Sequence, residues 1–220
     1  MNHEGQFEFV VQDSSETWHR LTFRFYDATA KPWFSTVWQR MATALSTAHQ
    51  QANSKEPDWV KWKTWDWCEQ KRPGYEARQV IVAWCGPQVA GFLNVWGGFA
   101  SQFDEGQKTL YIEHVAAAPW NQNTELWRRQ YSQTGTALLA YAVKFSQDQG
   151  YGGRVSLHAS NESALAFYRR VTENRISRLF YDERMGVVGP TPHGTNDIEK
   201  PYLEMTPDGS INLLEDYRHE

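Results

Sequence analysis

The stretch YEARQVIVAWC (Tyr75 to Cys85), the dipeptide Gly86-Pro87 and the stretch QVAGFLNVWGG (Gln88 to Gly98) constrain the fold more than any other part of the chain. Both flanking runs are rich in β-branched and aromatic residues, and Gly-Pro is a turn signal, so together they read as a hairpin. KTLYIEHVAAA (Lys108 to Ala118) reads as a third strand closed by Pro119. The middle of the chain is therefore three consecutive antiparallel strands.

Around them, EFVVQ (Glu8 to Gln12) and RLTFRFYD (Arg20 to Asp27) read as an opening hairpin or two short strands. A helix is expected from Pro32, with Phe34, Val37, Trp38, Met41 and Leu45 on one apolar stripe, and a second, PDWVKWKTWDWCEQ, after Pro57. The loop from Trp120 to Gln133 leads into a helix over about Thr134 to Gln149, whose apolar face is Leu138, Leu139, Ala142, Val143 and Phe145. GRVSLHA follows as a strand, NESALAFYRR as a short helix, and ISRLFYDE and PYLEMT as late strands. All 220 residues are expected to form one domain, with a C-terminal extension over about 185–220 that holds a long loop and the final strand.

A net charge of −4 gives no whole-protein attraction for nucleic acid or an anionic membrane and mildly favours a cationic substrate. Cys68 and Cys85 form no disulfide framework, no Cys/His spacing suggests a metal, and a reducing compartment is expected. The N-terminus lacks a basic start followed by a long apolar segment, and no apolar run approaches the roughly 20 residues needed to cross a bilayer. The expectation is a cytoplasmic protein without membrane or nucleic-acid partners.

QYSQTGTALLAYAV (Gln130 to Val143) is a polar loop running straight into an apolar helix. A helix that begins near Thr134 presents unpaired N–H groups and the positive end of its dipole, which suits a diphosphate. Gly135 allows the close approach of an anion.

Three consecutive pieces carry a family resemblance. YIEHVAAAP resembles the central strand, QYSQTGTALL the pyrophosphate loop, and SNESALAFYRR the N-x-x-A-x-x-F-Y helix of the GNAT family of N-acetyltransferases. The resemblance spans roughly Arg20 to Arg170 and implies an α/β acyl-CoA N-acyltransferase fold, a mixed but mostly antiparallel central sheet flanked by helices. It also implies acetyl-CoA as acyl donor and a primary amine, on a small molecule or a protein, as acceptor. The cofactor would lie against the main chain of Val115, Ala116 and Ala117 and on the loop residues Gln130, Ser132, Gln133, Thr134, Gly135, Thr136 and Ala137, with Asn161 as a further contact. Two departures stand out: Gln133 replaces the family's middle glycine, and WNQNTELWRR lengthens the loop. If its backbone is αR-like, Gln133 still offers its main-chain N–H. Arg128 and Arg129 in the extra piece either reach a phosphate or form a solvated turn.

An ammonium with a pKa of about 10.4 must lose a proton before it can attack. Glu113 occupies the position where some members of the resembled family carry their general base, and Tyr168 matches the position of the acid that protonates the leaving thiolate. Strand alternation sets Tyr111, Glu113 and Val115 on one face and Ile112, His114 and Ala116 on the other. His114 is the competing base; it and His158 are read as structural. Trp62 and Trp65, with Trp59 and Trp67 in the same segment, are either an aromatic wall for a cationic acceptor, ordinary helix packing, or a homodimer surface. The alternative to an enzyme is a binding or regulatory protein that keeps the fold without catalysis.

Overall fold

A computed structural model describes residues 8–52, 78–124, 126–173, 187, 189 and 199–218. The segment expected as the second helix, with Trp62 and Trp65, lies outside the described residues, as do ISRLFYDE and most of the long loop after it. The described strands form one eight-stranded sheet in the order Tyr131–Ser132 (β6), Phe9–Asp13 (β1), Trp18–Phe25 (β2), Arg78–Cys85 (β3), Gln88–Ala100 (β4), Lys108–Ala117 (β5), Val155–His158 (β7) and Tyr202–Met205 (β8). β1 runs antiparallel to both β2 and β6, β2 to β3 and β7 to β8, whereas β5 and β7 are parallel, so the fold is the expected mixed α/β type.

Two compact units divide the chain. The first takes in the chain up to α1 together with Val80–Phe92 and Ala116–Gly135. Here β1 (Phe9–Asp13) and β2 (Trp18–Phe25) form the opening hairpin, in the register Phe9↔Leu21 to Gln12↔Trp18. Asp13 holds the turn. Its Oδ1 accepts from the Ser15 N–H at 2.9 Å, the Ser15 hydroxyl at 2.7 Å and the Thr17 N–H at 3.0 Å, while Oδ2 meets His19 Nε2 at 2.7 Å. His19 foremost, then Ser15, keeps this carboxyl well below the usual carboxylate range.

The first helix opens as a π-helical turn, Trp33–Trp38, and continues as α1, Gln39–Ala52. The wider i→i+5 turn alters the expected stripe. Phe34, Trp38, Ala42 and Leu45 are buried, the Phe34 and Trp38 rings tilted against each other with centroids 5.4 Å apart, but Val37 is 36% exposed. The buried four pack into one cluster with Val80, Val82 and Trp84 of β3 (Arg78–Cys85) and Val89 and Phe92 of β4 (Gln88–Ala100). Phe92 takes the edges of both rings, its centroid 5.7 Å from Phe34 and 5.7 Å from Trp38. Ile81, Ala83 and Cys85, the alternate residues of β3, are buried as well. A strand covered on both faces reads as a continuous apolar run, which is why QVIVAWC does not alternate. Each large side chain so buried contributes roughly 1.5–3 kcal/mol.

The second unit takes in Leu93–Val115 and the chain from Thr136 on. β5 (Lys108–Ala117) pairs in parallel with β7 (Val155–His158), Leu110 opposite Val155 and Ile112 opposite Leu157. A parallel pair needs a long crossover. That crossover carries α2, Thr134–Asp148, whose expected face of Leu138, Leu139, Ala142, Val143 and Phe145 is buried. α3 (Glu162–Glu173) starts where Asn161 Oδ1 accepts the Ala164 N–H at 2.9 Å, an N-cap. β8 (Tyr202–Met205) lies antiparallel to β7, and the tail after it is a helix, α4 (Pro207–Arg218), with Leu213, Leu214 and Tyr217 buried. The Ser210 hydroxyl of α4 donates to the Gly153 carbonyl at 2.6 Å. Gly153 has φ +82°, and a Cβ there would sit 2.9 Å from Ser210 Cβ, so only glycine fits.

No helix among the described residues is long and apolar enough to cross a membrane.

Candidate functional site

Glu113 sits late on β5, where the burial pattern opens from fully to partly buried. Its Oε2 accepts two hydrogen bonds from β4, from Asn94 Nδ2 at 2.9 Å and from the Trp96 indole N–H at 3.0 Å. Asn94 and Trp96 are themselves buried. Sequence reasoning missed both. The available signal was a single amide in an otherwise apolar run, two residues from a tryptophan with a ring N–H to place.

His114 departs from simple alternation. Its Nδ1 comes within 3.5 Å of Asn94 Nδ2 and 4.0 Å of Glu113 Oε2, although parity assigns His114 to the opposite face. Burial, with smaller contributions from the charges of Arg78 and Lys200, pushes the imidazole down to about 3. It is therefore neutral at neutral pH. So weakly basic a ring is poorly matched to take a proton from an ammonium. The other histidine, His158, is built into the sheet: Nδ1 meets the Tyr111 hydroxyl at 2.8 Å and Nε2 the Val187 carbonyl oxygen at 2.8 Å.

Tyr168 is carried on α3 and is 6% exposed, its ring edge-on to Phe167 at 5.2 Å. Burial pushes its hydroxyl above the ordinary tyrosine value, so it keeps its proton at neutral pH. Asn161 is accounted for by its cap of the same helix. Of the strand residues expected against the cofactor, Ala116 is buried and Val115 and Ala117 half-buried; the Ala117 carbonyl accepts Gln122 Nε2 at 2.7 Å.

The loop before α2 is more structured than expected. Pro119–Asn121 form a 3-10 turn, and Tyr131–Ser132 form a two-residue strand, β6, paired with β1. Buried Asn121 joins the two: its Nδ2 donates to the Ala90 carbonyl at 2.9 Å, and its Oδ1 accepts the Tyr131 N–H at 3.3 Å. The side chains of Ser132 and Gln130 are directed elsewhere, to the Gln12 carbonyl at 3.1 Å and the Tyr131 hydroxyl at 3.1 Å. The Tyr131 hydroxyl also meets the buried Cys85 thiol; burial raises both groups above their ordinary values.

Gln133 is not αR-like. Its φ is +62°, the left-handed conformation that a glycine takes at no steric cost, so the residue that replaces the glycine keeps its backbone shape. Two buried side-chain atoms follow each other here, Gln133 Oε1 and Thr134 Oγ1, and neither has a hydrogen-bond partner among the described residues. Buried polar atoms are seldom left so. At a helix N-terminus they fit an anion: the Thr134 hydroxyl can donate, and reversal of the Gln133 amide turns its Nε2 to the same place. Thr136 is half-buried and Ala137 buried in the first turn, while Arg128, Arg129 and Gln130 are exposed on the approach. Trp62 and Trp65 lie outside the described residues.

The model of the acetyltransferase (GNAT) family matches residues 38–172, more than half of the chain. The chain belongs to the acetyltransferase (GNAT) family, and acetyl-CoA is the acyl donor that this membership carries. Among solved structures, an uncharacterized protein from Bacillus halodurans is similar over 96% of both chains, with TM-score 0.55 and 9% identity, which is a likeness of fold. The AtaT toxin, crystallised with the C-terminus of the antitoxin AtaR and acetyl-CoA, is 16% identical over 86% of this chain and 95% of its own, with TM-score 0.49. An aminoglycoside acetyltransferase from an uncultured soil metagenomic sample is 20% identical over 68% and 86%, with TM-score 0.36. No curated protein sequence gives a significant match.

Proposed function

We propose that this protein transfers the acetyl group of acetyl-CoA to a primary amine, with Glu113 as general base and Tyr168 as general acid. The observation that carries the reading is the Glu113 carboxylate, held by two N–H donors beside an imidazole that burial keeps neutral. An N–H donor favours the ionised carboxylate, and a neutral His114 does not compensate its charge. Glu113 can then take the proton that the ammonium loses as the new C–N bond forms. Tyr168, whose hydroxyl burial keeps protonated, supplies the proton that the departing sulfur takes up when the C–S bond breaks. When bound, acetyl-CoA supplies the activated thioester carbonyl. The left-handed turn at Gln133 and the Thr134 hydroxyl would hold its diphosphate, and the partly buried main chain of Val115 to Ala117 its pantetheine arm.

A second reading, a GNAT-fold protein without catalysis, draws on Gln133. Its buried carbonyl oxygen repels an anion unless the amide reverses. One experiment separates the two. Calorimetric titration with acetyl-CoA should give binding in the micromolar range, and a screen of small-molecule and peptide amines should give an acetylated product. Glu113→Gln and Tyr168→Phe should each lower kcat about 100-fold or more while leaving acetyl-CoA affinity nearly unchanged. Full turnover in both variants would sink the role assignment, and absence of acetyl-CoA binding would favour the non-catalytic reading.

A further inference from the structure

We propose that Asn94 and Trp96 are the positioning residues of the Glu113 base: both N–H groups converge on Oε2, keep the carboxylate ionised and fix its direction. This rests on the reading of Glu113 just given. The two residues are two apart on β4, so the pleat carries both side chains to the same face, and the neighbouring strand β5 brings Glu113 to them. Their reach is matched, 2.9 Å from the amide and 3.0 Å from the indole.

Amide and indole N–H groups only donate. A carboxylate uses both; a protonated carboxyl group has less charge to offer them, so losing either donor makes protonation easier. Asn94 is 1% exposed and Trp96 4%, and a hydrogen bond shielded from water is electrostatically stronger than one at the surface.

The cost side of Asn94 points the same way. An asparagine buried inside an apolar strand is unfavourable unless its polar atoms are satisfied. Asn94 Oδ1 has no partner among the described residues, so the side chain is not there to complete its own hydrogen bonds. Its Nδ2 makes its short bond to Glu113 at 2.9 Å, with His114 Nδ1 farther off at 3.5 Å. Among the titratable groups near this carboxylate is His114, at 4.0 Å from Oε2, itself acted on by Arg78 and Lys200. Burial lowers the His114 imidazole far below its ordinary 6.5, so it stays largely neutral over the upper part of a Glu113 titration.

The test needs neither cofactor nor acceptor. The side-chain carboxyl carbons of glutamate in the full-length protein, labelled with ¹³C, are followed by NMR from pH 3 to 9, with Glu113 assigned by its loss in Glu113→Gln. In Trp96→Phe, which keeps an aromatic ring, and in Asn94→Ala, the Glu113 midpoint should lie about one pH unit higher than in the parent protein. A purely structural role would change stability without moving that midpoint. Should Asn94→Ala not fold, Trp96→Phe carries the test alone. Midpoints that stay where they are in the parent would overturn the positioning role and leave the base assignment standing. Full turnover in Glu113→Gln with the midpoints moved would instead overturn the base assignment alone.

Discussion

Ser132 stands opposite Gln12 across the β1–β6 pair, and its hydroxyl donates to the Gln12 carbonyl at 3.1 Å. At the next residue the backbone turns left-handed, and α2 begins one residue later. The bond therefore ties the strand that leads into the helix to a sheet strand 120 residues away in sequence. Ser132→Ala should lower stability by about 1 kcal/mol, the net worth of one hydrogen bond, in urea unfolding. It should also weaken acetyl-CoA binding several-fold, because the loop loses an anchor next to the helix N-terminus. Unchanged affinity in calorimetry would show that Asn121 and the β6 backbone pairs hold the loop without it.

At Gln133 two effects oppose each other. A non-glycine residue in the left-handed region carries a strain of about 1–2 kcal/mol, which Gln133→Gly removes. Glycine also gives the unfolded chain more freedom, which costs about 0.4–1 kcal/mol. The variant should thus be as stable as the parent or up to about 1.6 kcal/mol more stable. The same change removes the buried Oε1 and opens the approach to the helix N-terminus, so acetyl-CoA should bind at least as tightly. Weaker binding would mean that the Gln133 side chain itself contacts the ligand.

The sequence carried the structure most clearly where the physics was local. The β3–β4 hairpin follows from two apolar runs around Gly86-Pro87, and the buried face of α2 from its 3.6-residue period. It failed where a neighbour distant in sequence decides the structure. Strand β6 is two residues long and exists only because β1 offers it an edge, and no composition signal marks so short a strand. The left-handed backbone at Gln133 is imposed by the strand-to-helix reversal, not by the propensity of glutamine. Val37 fits the apolar stripe of an α-helix, but the π turn at Trp33–Trp38 moves it out. The family motif points to Glu113 as the proposed base, but its donors Asn94 and Trp96 emerge only once β4 lies beside β5.

His114 gives the fold a measurable pH dependence. Its ordinary value is 6.5 and burial lowers it to about 3 in the folded protein, so between these limits the unfolded chain takes up a proton that the folded one refuses. Stability is therefore complete above about pH 6.5 and is lost as pH falls toward 3, by up to about 1.4 kcal/mol per unit. Asp13 acts in a lower window: its depressed carboxyl gives up stability only as pH drops below its ordinary 3.8. Comparing urea unfolding at pH 7.5 and 5.0 isolates the histidine. The parent should lose roughly 2 kcal/mol between the two, and His114→Gln, which leaves the neighbouring Glu113, Arg78 and Lys200 in place, should lose much less. Equal losses in the two proteins would mean that His114 is accessible enough to protonate in the folded state. The neutral imidazole beside Glu113, on which the choice of base rests, would then have to be abandoned.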